Sequence, residues 1–201
     1  MFFVDELGPL AVKKYGGATF VKKGESLDVP QIQTPKGSII LAGALSATTN
    51  QMTWCFAQSK DTTAMIDLIE LLFNEHKDKT RLFITWDAAS WHDSISLVDW
   101  LDAFNLKTQK TNDGPLITLV PLPSRSQFLN VIESAFGVMK KAVIHHSDYQ
   151  NAHEMKSSIS RHFRERNAYF KDNPRRAGKK LWQVDFFRDP RNLTSGNYRE
   201  Y

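Results

Sequence analysis

Three carboxylates stand out by where they sit. Asp5 follows the apolar run at residues 1–4 (MFFV), and Asp87 follows the run at 81–86 (RLFITW). A carboxylate at the mouth of a buried strand lies where ligands of open α/β sheets bind. Glu133 falls in the first two turns of a helix expected over 127–143. It is one residue past Ile132, lateral to the apolar stripe of Phe128, Ile132, Phe136 and Met139. Three carboxylates on separate rigid elements can converge on hard, oxygen-loving cations such as Mg²⁺ or Mn²⁺. Two such ions about 4 Å apart would activate a water or a 3′-hydroxyl and stabilise the leaving oxygen of a phosphodiester. A lone strand-end Asp more often caps a helix or forms a turn. From topology the metal-binding and structural readings stand level.

The elements that must position these groups follow from pattern. The first strand is expected over 1–4, ending at Asp5. Residues 13–38, rich in Gly, Lys and Pro, read as loops around a short strand near 19–21. Strands are expected over 38–45 and 52–57, with a turn between them. Thr62 or Thr63 offers an N-cap for a helix running to about Lys77, with Met65, Leu68, Ile69, Leu72 and Phe73 on its apolar face. The strand at 81–86 comes next. A helix from Ser94 or Ser96 to Asn105 follows, with Ile95, Val98, Leu101, Ala103 and Phe104 inward. Residues 107–115 read as a polar, hairpin-like insertion and 116–122 as another buried strand. After the 127–143 helix comes one over 150–169, then a basic loop and an irregular end. Antiparallel strands first, then alternating strands and helices, imply a mixed sheet covered by helices.

Composition narrows the classes. A chain of 201 residues with 41% hydrophobic content suits one compact domain, with room for a short appendage. The division expected is a core over 1–145 and a basic helical tail over 146–201, packed on or extending from the core. The single cysteine, Cys55, excludes an internal disulfide, and no Cys/His cluster has zinc spacing; a reducing compartment is the default. Asp5 and Glu6 interrupt the apolar start too early for a secretion signal, and no apolar run is long enough to span a bilayer. The net charge of +4 is unevenly spread. From Lys140 onward there are 14 basic and 7 acidic residues, leaving 12 basic and 15 acidic before it. The basic tail suits a phosphate backbone, and equally a solvated face.

Local motifs favour the metal reading. VDELGP (4–9), ITWDAASWH (84–92) and LVPLPSRSQFLNVIES (119–134) resemble the DDE transposases, more narrowly the mariner-like superfamily in its bacterial insertion-sequence branch. The family pattern maps to Asp5-Glu6, to Asp87 with His92, and to Leu122-Pro123 followed by Leu129-Asn130-Val131-Ile132-Glu133. The tail from Arg166-Asn167 to Asn173-Pro174-Arg175-Arg176 and on to Trp182 is similar too. The resemblance implies a ribonuclease H-like fold, an α/β mixed five-stranded sheet with helices on both faces and a helical basic C-terminal tail. It implies a metal-dependent endonuclease and strand transferase holding Mg²⁺ or Mn²⁺, as two ions, on catalytic Asp5, Asp87 and Glu133. It implies double-stranded DNA as partner, a homodimer on paired ends, a separate helix-turn-helix recognition subunit or region, and a bacterial, cytoplasmic, nucleoid-associated setting.

Three departures support an alternative: a catalytically inactive or host-adopted remnant that binds DNA non-specifically. Ala88 stands where the family often has Asn, removing a hydrogen bond near the site. Gln127 and Val131 stand where it usually has prolines, which pre-organise a helix start. The chain begins four residues before Asp5, so the helix-turn-helix part is expected to be truncated or carried separately.

Glu6, His92 and Asn130 are expected to support the carboxylates, although Asn130 is equally suited to starting the helix and His92 to bracing its loop. Arg161, Arg164, Arg166, Arg175, Arg176, Lys179 and Lys180 are the candidate phosphate contacts; any one alone is more often solvated. His145, His146, His153 and His162 lack a metal-site cluster and read as surface positions.

Overall fold

Alternation along the first strand populates both faces of the sheet. In the computed structural model, which describes residues 1–17, 20–26, 28–86, 95–120, 122 and 126–178, β1 runs Phe2–Ala11. Phe3 points into one apolar cluster, Phe2 and Val4 into another on the opposite side. Strands β2 (Ser38–Ser46) and β3 (Met52–Ala57) extend the sheet antiparallel on one side of β1. On its other side lie β4 (Arg81–Thr85) and β5 (Leu116–Leu119), both parallel. The order β3-β2-β1-β4-β5 is the mixed five-stranded sheet expected.

Helices cover both faces. α1 (Thr62–Glu75) and α2 (Ile95–Thr111) pack on Phe2, Val4, Leu82, Ile84 and Ile117. On the other side, α3 (Ile132–Met139) and α4 (Ala152–Asp172) pack on Phe3, Leu41 and Leu45. Met155, Ile159 and Phe163, at helical spacing on α4, are fully buried there. Burying each such side chain contributes about 1.5–3 kcal/mol, which fastens an otherwise polar helix to the sheet. The far end of α4 is held by polar contacts. The Asn167 amide donates to the Met52 carbonyl at 2.7 Å and accepts from its N–H at 2.8 Å. Arg166 donates to the carbonyl of Asn50 in the β2–β3 turn at 2.6 Å and to its side-chain oxygen at 2.5 Å.

Several local expectations are corrected. β1 does not end at Asp5 but continues to Ala11, because β2 pairs with it along its whole length. Phe20 and Val21 are exposed and outside any strand; Thr19 lies outside the described residues. The first helix is capped by Asp61, whose carboxylate accepts from the Ala64 N–H at 3.0 Å, rather than by Thr62 or Thr63. Residues 107–111 are the last turns of α2, not an insertion: Thr108 is buried and Lys107, Gln109 and Lys110 are good helix formers. The chain then turns at Asn112 and Gly114, both at positive φ. On α2 the buried stripe is Leu97, Leu101 and Thr108, which leaves Ile95, Val98 and Ala103 outward. The expected 127–143 helix is broken. A single 3₁₀ turn (Gln127–Leu129) precedes α3, and a π-helical turn (Lys140–Ile144) follows it. The break rotates Phe128 out of the stripe, so it is 79% exposed, whereas Ile132, Phe136 and Met139 are buried.

No helix among the described residues is long and apolar enough to cross a membrane.

Candidate active site

Asp5 sits where two ladders part. β1 pairs with β4 at Phe2–Ile84 and Phe3–Thr85, and with β2 through Asp5, whose partner is Gly43. Asp5 shares the parity of Phe3, so it belongs to the α3–α4 face. It is half-buried, and one carboxylate oxygen accepts from the Glu6 N–H at 2.8 Å. The parallel pairing between the β4 and β5 segments runs on past the two strands: the Val120 N–H donates to Ile84 O at 2.8 Å and the Leu122 N–H to Trp86 O at 2.9 Å. Buried Trp86 is the residue before Asp87 in the chain. Asp87 and His92 themselves lie outside the described residues, as do Ala88 and Trp91.

Glu133 reaches this face from the other end of the sequence. It is exposed in the first turn of α3, where a carboxylate also complements the helix dipole. Two neighbours tie that turn to either side of Asp5. Asn130, three residues before Glu133, is 2% exposed and donates through Nδ2 to the carbonyl of Val4 at 3.0 Å, a bond spanning 126 residues of sequence. Phe136, three residues after it, presses its ring on Gly43, the strand partner of Asp5. A Cβ at Gly43 would lie 2.9 Å from Phe136 Cζ, so only glycine lets the helix approach this closely. Glu133 thus lies in the chain between Asn130, which bonds β1 one residue before Asp5, and Phe136, which packs on the β2 partner of Asp5.

The other expected residues divide. Glu6 is buried, and alternation places its side chain on the α1–α2 face, away from Glu133, although its N–H serves Asp5. Arg161, Arg164, Arg175 and Arg176 are exposed along α4 and just beyond it. Arg166 is not: besides holding Asn50, its guanidinium stacks on Phe170 at 4.6 Å, and burial pushes its pKa down to about 10. Lys179 and Lys180 lie outside the described residues. Among the described residues no three His, Cys, Asp or Glu side chains form a metal-sized cluster, and Asp87 is not among them. The Cys55 thiol is pushed up to about 11, by burial first and then by Asp67, so it is no nucleophile at neutral pH.

Sequence reasoning gave no reason to single out Gly43 or Thr85. Thr85 is buried on β4 beside Phe3, and its hydroxyl has no hydrogen-bond partner among the described residues. A glycine inside an apolar strand was the available signal for Gly43.

Residues 1–156 match the family of DDE superfamily endonucleases, and the chain belongs to that family. Among solved structures, the fold is similar to the Mos1 transposase in three complexes. These are the paired-end complex with the left transposon end (TM-score 0.58, 14% identity, 81% of this chain and 47% of that one), the mariner Mos1 paired-end complex with Mg (0.60, 13%, 84% and 49%), and the same complex with Mn (0.56, 11%, 84% and 48%). The sheet and its helices thus have the ribonuclease H-like fold of those proteins. The chain spans about half the length of the Mos1 transposase chains it matches. Comparison with curated proteins finds no significant match.

Proposed function

We propose that this chain is the catalytic domain of a transposase of the mariner-like superfamily, in its bacterial insertion-sequence branch. It cuts phosphodiesters at the element's ends and joins them to target DNA. The observation that carries this reading is the approach of the Glu133 turn to Asp5 through Asn130 and Phe136, in a chain of the DDE endonuclease family. Asp87 follows buried Trp86 directly in the sequence.

The donor set suits a hard divalent cation. Asp5, Asp87 and Glu133 offer only carboxylate oxygens, the choice of Mg²⁺ and Mn²⁺. Buried Asn130 Oδ1, with no hydrogen-bond partner, adds a neutral acceptor beside them. Bound there, Mg²⁺ or Mn²⁺, as two ions, would neutralise phosphate charge and ease deprotonation of the attacking hydroxyl. The chain itself supplies placement: Asp5 is held on a strand and Glu133 on a helix, rigid elements that position their carboxylates before DNA binds. In the first stage a water oxygen bonds to phosphorus and the 3′-oxygen of the flanking bond leaves, taking a proton. In the second the freed 3′-hydroxyl attacks a target phosphate and expels the target's own 3′-oxygen.

Exposed Arg161, Arg164, Arg175 and Arg176, with Lys179 and Lys180, would lie along the duplex backbone and give binding that weakens steeply with salt. The working form on DNA is a homodimer, with end recognition supplied by a helix-turn-helix region or subunit. The alternative, an inactive remnant that binds DNA non-specifically, draws on the start of α3, where Val131 makes no side-chain cap.

The test is Mn²⁺-dependent nicking of supercoiled plasmid by the chain and by Asp87→Ala. Nicking that requires metal and vanishes in the variant supports the transposase centre. A folded chain that retards DNA in a gel yet never nicks leaves the remnant reading.

A further inference from the structure

Asn130 does more than begin a helix. Its amide nitrogen is committed to Val4, one residue before Asp5 and one past the last β1–β4 pair, Phe3–Thr85. Among the described residues its amide oxygen is buried with no partner, and so is the hydroxyl of Thr85 on β4. A buried polar atom left unpaired costs about 1–3 kcal/mol. Thr85 is the β4 partner of Phe3 and Asn130 bonds the carbonyl of Val4, so both flank the start of β1 that leads into half-buried Asp5. The Asn167 amide, by contrast, is paired at both ends with Met52. A carbonyl-type oxygen of this kind suits one hydrogen from the water shell of a divalent cation, because Mg²⁺ and Mn²⁺ sites keep several waters.

We propose that Asn130 is the positioning residue of the metal centre. Its Nδ2 sets the Glu133 turn against Asp5, and its Oδ1 accepts a hydrogen bond from a water of the bound divalent cation. This rests on the carboxylate reading above. Groups that orient ligands and their waters typically change metal affinity or activity by about 10–100-fold when removed.

The test is direct Mn²⁺ binding to the full chain, by calorimetry and by loss of the free-Mn²⁺ electron-resonance signal, with melting temperature measured alongside. Asn130→Ala should weaken Mn²⁺ binding by about 10-fold or more. Asn167→Ala removes a comparable clamp far from the carboxylates; it should lower the melting temperature and leave Mn²⁺ affinity unchanged. Asn130→Asp keeps the shape and guards against a misfolded Ala variant. It loses the donor but adds negative charge, so positioning predicts weaker binding and simple charge predicts tighter. Mn²⁺ affinity at the wild-type level in Asn130→Ala, or tighter in Asn130→Asp, overturns the proposal. Wild-type chain that binds no Mn²⁺, or binds it as well after Glu133→Ala, would instead sink the carboxylate reading, and this inference with it.

Discussion

The two ends of the α3–α4 face fasten helix to sheet by the same device and leave it in different states. At one end the side chains of Arg166 and Asn167 of α4 bind the β2–β3 turn and the start of β3 through four bonds, and both polar ends of the Asn167 amide are used. At the other, Asn130 ties α3 to β1 through one bond and keeps its oxygen buried and unpaired, beside a half-buried Asp5 and an exposed Glu133. A satisfied amide such as that of Asn167 fastens structure, whereas the unpaired oxygen of Asn130 is held at a cost that a ligand could recover. The contrast also separates the arginines of the tail: Arg166 belongs to the first end as a clamp, whereas Arg161, Arg164, Arg175 and Arg176 are exposed.

That contrast can be broken at several points. The largest effect is expected from Glu133→Ala: nicking should drop to the background rate, yet stability measured by urea titration should change by no more than about 0.5 kcal/mol, since the side chain is exposed. A large loss of stability there would make Glu133 structural and erase the distinction. Gly43→Ala comes next. With 2.9 Å between the new Cβ and Phe136, the ring or the helix that carries it must shift, and nicking should fall severalfold or more while the circular-dichroism spectrum stays native. Asn167→Ala should cost about 2 kcal/mol in the same titration by stranding the Met52 N–H and carbonyl. Wild-type stability in that variant would mean the clamp is idle. Smaller still, Arg161→Ala and Arg164→Ala should each reduce the salt slope of DNA binding by about 1, whereas Arg166→Ala should lower stability instead.

The smallest effect concerns pH. Burial, then the Arg166 charge, holds His162 below the ordinary histidine range, against an opposing contribution from Glu165. Its neutral form is favoured in the folded chain, so the unfolded chain binds more protons. Stability is full above the unfolded pKa of about 6.5 and declines as pH falls toward the lower folded value. His162→Gln should flatten the pH dependence of melting below about 6.5, and an unchanged slope would assign it to other groups.

Much of this was legible in the residues. The strand at β3 has the expected bounds, the apolar face of α1 is the one its spacing announced, and β2 and β4 differ by one residue at their ends. Such segments declare themselves because a period of two or of 3.6 is imposed by burial on one side. Two of the misplacements share one cause: partners far away in sequence. Asp5 looks like a strand end because the apolar run stops there, but β2 pairs with β1 for six residues more. The break at Asn130 is invisible in a stripe that reads smoothly from Phe128 to Met139, because its cause is the carbonyl of Val4. At the site, the carboxylate types and their motifs were readable; the neighbours that steer them were not.

By itself, then, the sequence determined the element types, the mixed sheet, the family, and which carboxylates stand beside apolar runs, since all of these rest on short-range pattern. Only the tertiary structure decided that Glu133 comes to the face of Asp5, that Glu6 turns from it, that Arg166 is a clamp, and that Asn130 keeps an oxygen unpaired. Each of those depends on strand parity, on a missing Cβ at Gly43, or on a bond across 126 residues, and none is written in any single stretch of chain.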